Sequence, residues 1–232
     1  MDFFECVCLG LLGEFLYSAL YYKGLSILPA TDACILNYLW PIISVISSCI
    51  LLKETLTVRK AIAIILSFIG IILVTSKGSA LTVFQSENFA GSMLCILATV
   101  CYGLFNVLNK IKGKDQWCNM TIYFTLTAIL SGIYCHMTHQ LPIPSPEQCF
   151  GILCLGIFID AIGIVIWAIA LQGSEVSSIV NLAYVTPIVS MFLSVIFLKE
   201  KIDVYSVLGL ALILGGFFFQ KKKNLTYVQL SP

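Results

Sequence analysis

The chain has 232 residues, of which 59% are hydrophobic and only 11% charged, with a mean hydropathy of +0.98 and a net charge of +1. A soluble domain carries about 25% charged residues, so this chain lacks the polar surface to face water all round. Its segments are apolar on every face, as a helix bundle in lipid requires, and the near-neutral balance leaves no basic field to attract nucleic acid.

A membrane-crossing helix needs about 20 mostly apolar residues, and the chain offers eight such stretches: 6–22, 30–52, 57–76, 89–109, 118–138, 148–171, 176–198 and 203–220. The breaks between them have recognisable chemistry. Gly24, Pro29 and Asp32 punctuate the first, and Lys53 to Lys60 form a charged second. Ser76 to Asn88 is polar, Lys110 to Gln116 is basic, and Leu141 to Pro146 holds three prolines. The first stretch carries Asp2 and Glu5, with no basic n-region or small-residue cleavage site, so it reads as a span and not as a signal peptide. The expected fold is an all-α polytopic bundle of eight transmembrane helices.

Orientation follows from the placement of lysine and arginine. With eight spans both termini share a side. One set of loops with the tail holds Lys53, Arg59, Lys60, Lys110, Lys112, Lys114, Lys221, Lys222 and Lys223, against Lys23, Lys77, Lys199 and Lys201 on the other. That bias puts both termini in the cytoplasm, with the chain integral to a membrane, here the plasma (inner) membrane. Asn119-Met-Thr121 and Asn224-Leu-Thr226 match a glycosylation pattern, but on the cytoplasmic side neither is used.

An internal repeat organises the chain. At a shift of 146 residues, Cys8-Leu9-Gly10 falls on Cys154-Leu155-Gly156, Tyr38 on Tyr184 and Pro41-Ile42 on Pro187-Ile188. Ser44 falls on Ser190, Leu52-Lys53-Glu54 on Leu198-Lys199-Glu200, and Gly70 on Gly216. Spans one to three therefore match spans six to eight, and spans four and five have no earlier partners. A complete repeat implies five helices per half, with the first two of this chain's first half missing. Five is odd, so the second half is expected upside down, the inverted design of many secondary transporters. The chain divides into a partial first repeat at 1–80, a second repeat at 81–224 and a cytoplasmic tail at 225–232.

The stretch Leu25-Ser-Ile-Leu-Pro-Ala-Thr-Asp-Ala-Cys-Ile-Leu-Asn-Tyr-Leu-Trp-Pro41, followed by Leu51-Leu-Lys-Glu54, resembles the repeat signature of the ten-helix drug/metabolite transporters with paired EamA-type repeats. The core Asn37-Tyr38-Leu39-Trp40-Pro41 is especially similar to bacterial aromatic amino-acid exporters. The resemblance covers nearly the whole chain, departing from the family at the shortened N-terminus. It implies a carrier that works by alternating access.

Two acids lie deep in apolar spans, Glu14 and Asp160, and they are repeat mates. An ionised carboxylate at the bilayer centre costs on the order of 2.5–3.5 kcal/mol on insertion scales, which favours a carboxyl that faces an interior cavity or carries its proton. Such a group suits proton coupling or a counter-charge for a substrate amine; the alternative is an inward carboxyl hydrogen-bonded to a neighbouring helix. Aromatic and amide residues form a second group. Tyr17 and Tyr21 share a helix face with Glu14; Asn37, Tyr38 and Trp40 precede Pro41; Tyr102 and Asn106 are four apart; Asn181 and Tyr184 precede Pro187; Trp167 matches Tyr21 in the repeat. Aromatic faces with a few amides suit an amphipathic solute, in particular a cation or an aromatic ring. An interfacial aromatic belt is the competing account, stronger for Tyr21 than for Tyr38 or Trp40.

Pro41 and Pro187 each remove a backbone hydrogen bond and should kink their spans at matched positions, as hinges or as packing features. Gly70 and Gly216 permit close helix contact. Lys53-Glu54 and Lys199-Glu200 read as solvated helix ends, and His136 and His139 as loop residues. The 10 cysteines lie in no CxxC pair and beside no histidine at ligand spacing, arguing against a disulfide framework or a metal site. No nucleophile–base pair and no nucleotide-binding glycine loop occurs, so neither enzyme activity nor a cofactor is expected. The expectation is a secondary-active transporter, an exporter of small amphipathic metabolites such as amino acids, with possible proton coupling. The alternative is a truncated or non-transporting membrane protein, or a partner subunit that needs two helices from elsewhere.

Overall fold

The computed structural model describes residues 3–76, 87–113, 115–138, 144–193, 196 and 204–221. Several sequence features fall outside those residues: Lys77, Lys114, the Lys199-Glu200 pair, Lys201, Lys222, Lys223, His139, Asn224 to Thr226 and the tail. Every regular element among the described residues is helical. In chain order they are α1 (Phe3–Leu25), α2 (Ala30–Asn37 continued by Trp40–Leu51), α3 (Val58–Ser76), α4 (Phe89–Lys112), α5 (Gln116–Met137), α6 (Pro146–Gln172), α7 (Val176–Val185 continued by Thr186–Leu193) and α8 (Val204–Lys221). Five of them, α1, α2, α4, α5 and α6, are long and apolar enough to cross a membrane.

Local chemistry sets several boundaries. Ser145 opens α6 with a capping box, its hydroxyl accepting the Gln148 amide while the Gln148 side chain accepts the Ser145 amide, and Pro146 fills the first turn, where no N–H is needed. Asp115 caps α5 by accepting from the Cys118 amide at 3.2 Å. Regular α-helical bonding is interrupted at Tyr38 and Leu39, in the turn before Pro41, and gives way to a 3-10 turn over Asn181–Val185, just before Pro187. A proline lacks the N–H that the preceding turn would use, and its ring crowds that turn's carbonyl.

Side-chain contacts fix the directions of the helices. Along α1 and α4, Glu5 meets Lys112, Tyr17 meets Tyr102, and Gly24 lies against Gly91 and Cys95, so the two run antiparallel. Along α6 and α4, Trp167 bonds Asn106 and Gln172 bonds the Gly113 carbonyl, so these two run parallel. Hence α6 points opposite to its repeat mate α1, and the two halves are inverted. The repeat also governs backbone detail. Ala30 and Val176 begin equivalent helices, as do Val58 and Val204. The repeat mates α1 and α6 each open into a wide π-helical segment around their acid, Leu11–Leu16 about Glu14 and Leu155–Ile164 about Asp160.

The central element is α4, which buries 56% of its apolar window, whereas α6 buries 11%. Its small residues admit the neighbours: a side chain at Gly103 would press on the Trp40 carbonyl at 3.0 Å and on Ile43 at 2.7 Å. The α3–α8 pair packs just as closely. A Cβ on Gly70 would meet the Gly209 carbonyl at 2.6 Å, and one on Gly216 the Ala63 carbonyl at 2.7 Å. In lipid, where no hydrophobic force pulls helices together, such close backbone approach is a main source of association.

Candidate functional site

Where α1, α2, α4 and α6 converge, the aromatic residues form one continuous group. Tyr17 lies 4.7 Å from Tyr102 between ring centroids and stacks on Tyr21 at 6.0 Å. Trp40 stands edge-on to both Tyr102 at 5.2 Å and Trp167 at 5.5 Å. These separations and tilts are those favoured by ring quadrupoles. Amides hold the rings in place: Tyr17 donates its hydroxyl to Asn37 Oδ1 at 3.3 Å, and Trp167 donates Nε1–H to Asn106 Oδ1 at 3.1 Å. Asn106 in turn donates to the Tyr102 carbonyl at 2.9 Å. Tyr17, Asn37, Trp40, Tyr102, Asn106 and Trp167, drawn from four helices and from both halves, thus belong to one cluster. Tyr21, placed by its sequence position in an interfacial belt, instead stacks into it.

Glu14 sits beside this cluster. Its side chain is 5% exposed, and Oε1 has no hydrogen-bond partner. The preceding Gly13 lies so close to the Phe105 ring that no side chain would fit between them. Burying a carboxyl without satisfying it is costly, and π-helical segments of the kind that carries Glu14 recur at functional sites. Glu14 lies three residues before Tyr17 on α1, and Tyr17 in turn meets Tyr102.

Other expected site residues are placed differently. Unlike Glu14, its repeat mate Asp160 has an exposed side chain. The inverted repeat explains the asymmetry. Helix α1 packs on α4 and α5 through the segment that carries Glu14, whereas α6 meets them chiefly beyond Val165, past Asp160. Asn181 is buried with Ser67, which donates to it at 3.4 Å. Tyr184 and Tyr38 pack in the core shared by α2, α3, α4, α6, α7 and α8, with Trp40 and Trp167 at its edge; the buried Tyr184 hydroxyl has no partner.

A polar network that sequence reasoning missed closes the end of the bundle where α4 terminates. Glu54 Oε1 accepts from Lys110 Nζ at 3.3 Å and from the Val176 amide at 3.1 Å. Lys110 also donates to the Ser174 carbonyl, and Lys60 pairs with Glu175. Glu54 is therefore not a solvated helix end: it ties α2 of the first half to α4 and α7 of the second. No pattern in the sequence announces it: the chain turns at Lys53 with φ 57, a conformation that lysine rarely adopts. Beside it, Asn109 donates to Gln116 at 2.9 Å and accepts from the buried Tyr123 hydroxyl at 3.1 Å. Among the described residues, no group of three or more His, Cys, Asp or Glu could hold a metal ion.

The model of the EamA-like transporter family matches residues 2–76 and 89–220. The chain belongs to this family, and it is a membrane transporter protein by descent. It is 26% identical over 218 residues to the uncharacterized transporter YyaM of Bacillus subtilis, covering 90% of this chain and 70% of the relative. It is 23% identical over 208 residues to the aromatic amino acid exporter YddG of Ancylobacter novellus, covering 89% and 72%. A protein of known crystal structure, 22% identical, superposes with a TM-score of 0.85 over 93% of this chain and 75% of its own, a likeness of fold.

Proposed function

We propose that the chain is a secondary-active exporter of small amphipathic metabolites such as amino acids, working by alternating access from the plasma membrane with both termini in the cytoplasm. The observation that carries this reading is the unpartnered, buried Glu14 carboxyl beside an aromatic cluster built jointly by two inverted halves. Inverted repeats place solute sites at the junction between them, where rocking of one half against the other exposes the site alternately. The Glu54–Lys110–Val176 network suits the closed end in such a cycle, and Pro41 and Pro187 suit its hinges. The aromatic amino acid exporter among the relatives supports the amino-acid class and the outward direction. A membrane-embedded carboxyl also suits coupling to protons.

The test is transport by the purified chain in proteoliposomes under an imposed proton gradient, against a panel of amino acids and their derivatives. Trp40→Ala should abolish any flux while the protein still inserts. A panel without flux under either gradient direction rejects the reading.

One observation favours a second reading. Asp160 is exposed on the least covered of the spans, which fits a subunit that acts only with further helices from a partner. Co-purification of a second membrane protein, with flux appearing only in its presence, would select that account.

A further inference from the structure

The aromatic cluster also carries information about the charge of what it binds. Four rings, Tyr17, Trp40, Tyr102 and Trp167, are locked by contacts with one another and by Asn37 and Asn106. The acceptor beside them, Glu14 Oε1, is buried and unpartnered. A bare carboxyl oxygen and the negative ring faces favour the same kind of group.

Positive side chains are missing from this place. Among the described residues, Lys60 and Lys110 are held by carboxylates at the α4 end, and Lys112 by Glu5. Arg59 lies over the Phe219 ring, and Lys23 and Lys53 are exposed. A solute carboxylate would therefore meet the Glu14 carboxyl and four rings, with no cation beside them. A solute ammonium would find a counter-charge, an unfilled acceptor for its N–H, and aromatic faces for its body.

We infer that this site selects aromatic amines: a protonated amino group directed at Glu14, joined to a flat apolar ring held among Tyr17, Trp40, Tyr102 and Trp167, with no carboxylate on the solute. The inference rests on the carrier reading above for its physiological use, and it narrows the solute from amphipathic metabolites to those of net positive charge. Amino acids, which bring a carboxylate of their own, bind less well than their decarboxylated counterparts.

One ring skeleton in four charge states tests it. Tryptamine, tryptophol, tryptophan and indole-3-propionate are titrated by calorimetry into the wild-type full chain in lipid nanodiscs. Tryptamine should bind at least tenfold more tightly than tryptophol or tryptophan, and indole-3-propionate the least. Glu14→Gln should bring tryptamine down to the level of tryptophol. The inference is overturned if tryptophan or indole-3-propionate binds as tightly as tryptamine, or if a folded Glu14→Gln protein keeps the preference. The wild-type series needs no variant, so a Glu14→Gln chain that fails to fold leaves the comparison intact. Flux measured with the same four compounds separates the two claims. Tryptophan carried in preference to tryptamine overturns the amine site but leaves the carrier, whereas tight tryptamine binding without any flux supports the site and removes the carrier.

Discussion

Glu54 and Lys110 join the two inverted halves at one end of the bundle, with Glu54 Oε1 3.3 Å from Lys110 Nζ and the same oxygen accepting the amide of Val176 at 3.1 Å. One carboxylate thereby holds a lysine at the C-terminal end of a helix and the first amide of another, two partners that each favour negative charge. Both side chains are largely shielded, at 16% and 12% exposure, so the contact is worth more than a surface pair.

Breaking it should loosen this end specifically. A hydrogen bond to a charged group contributes about 1.5–3 kcal/mol, so Glu54→Leu should raise amide exchange at Val176 by roughly tenfold or more. Glu54→Gln, which keeps an acceptor for the amide but loses the charge, should fall between. Hydrogen-exchange mass spectrometry of the 174–180 region reads this directly. Unchanged exchange in Glu54→Leu would show that the contact does not hold the end shut.

Glycine packing between α3 and α8 gives a contrast within a single helix. Gly216→Ala places a methyl 2.7 Å from the Ala63 carbonyl, whereas Gly215→Ala meets nothing within 4 Å. Overpacking of this kind costs about 1–3 kcal/mol. Gly216→Ala and Gly70→Ala should each lower the thermal midpoint measured by size-exclusion in detergent, and Gly215→Ala should leave it unchanged or slightly raised. Equal effects at 215 and 216 would mean that the two helices do not meet in the described register.

The Trp167–Asn106 bond ties α6 to the central helix α4 at 3.1 Å. Asn106→Leu leaves the indole N–H without an acceptor, and Trp167→Phe leaves the amide without its donor. Stranding one buried partner costs about 1–3 kcal/mol, while removing both is nearly neutral by comparison. The double variant should therefore be less destabilised than the sum of the single ones by at least about 0.5 kcal/mol in a double-mutant cycle. Additive effects would indicate that the pair is not formed in the membrane.

Much of this architecture was legible in advance because lipid leaves a chain few choices. Uninterrupted apolar runs marked the spans, and Gly70 and Gly216, aligned by the repeat, marked the contact that α3 and α8 make. The aromatic cluster was legible in part, since helical spacing put Tyr17 on a face with Glu14, and Tyr102 on a face with Asn106. Which helices face one another is a tertiary fact, so Trp167 reaching Asn106 rather than Tyr21's environment could not be read from spacing. Symmetry did not carry burial over to Asp160: sequence made it equivalent to Glu14, but equivalence of position does not supply equivalent neighbours, and α6 meets α4 and α5 chiefly beyond Val165. Glu54 was misread because a charged residue at a helix end is solvated by default, and its partners lie 56 and 122 residues away.

Glu14 finally allows structural and functional roles to be separated by the sign of one measurement. A carboxyl retained for packing would have its hydrogen bonds made, and replacing it would strand its partners and lower stability. Glu14 instead leaves Oε1 buried and unmade, a condition that costs about 1–3 kcal/mol and that an apolar side chain of similar length relieves. Glu14→Met should therefore raise the thermal midpoint, by roughly 2–4 °C for each kcal/mol in a chain of this size, while flux and amine binding are lost. Stability and activity moving in opposite directions is the mark of a residue kept for its chemistry. A Glu14→Met protein that melts earlier than wild type would place the carboxyl in the scaffold, and the solute site would then have to be sought among residues other than Glu14.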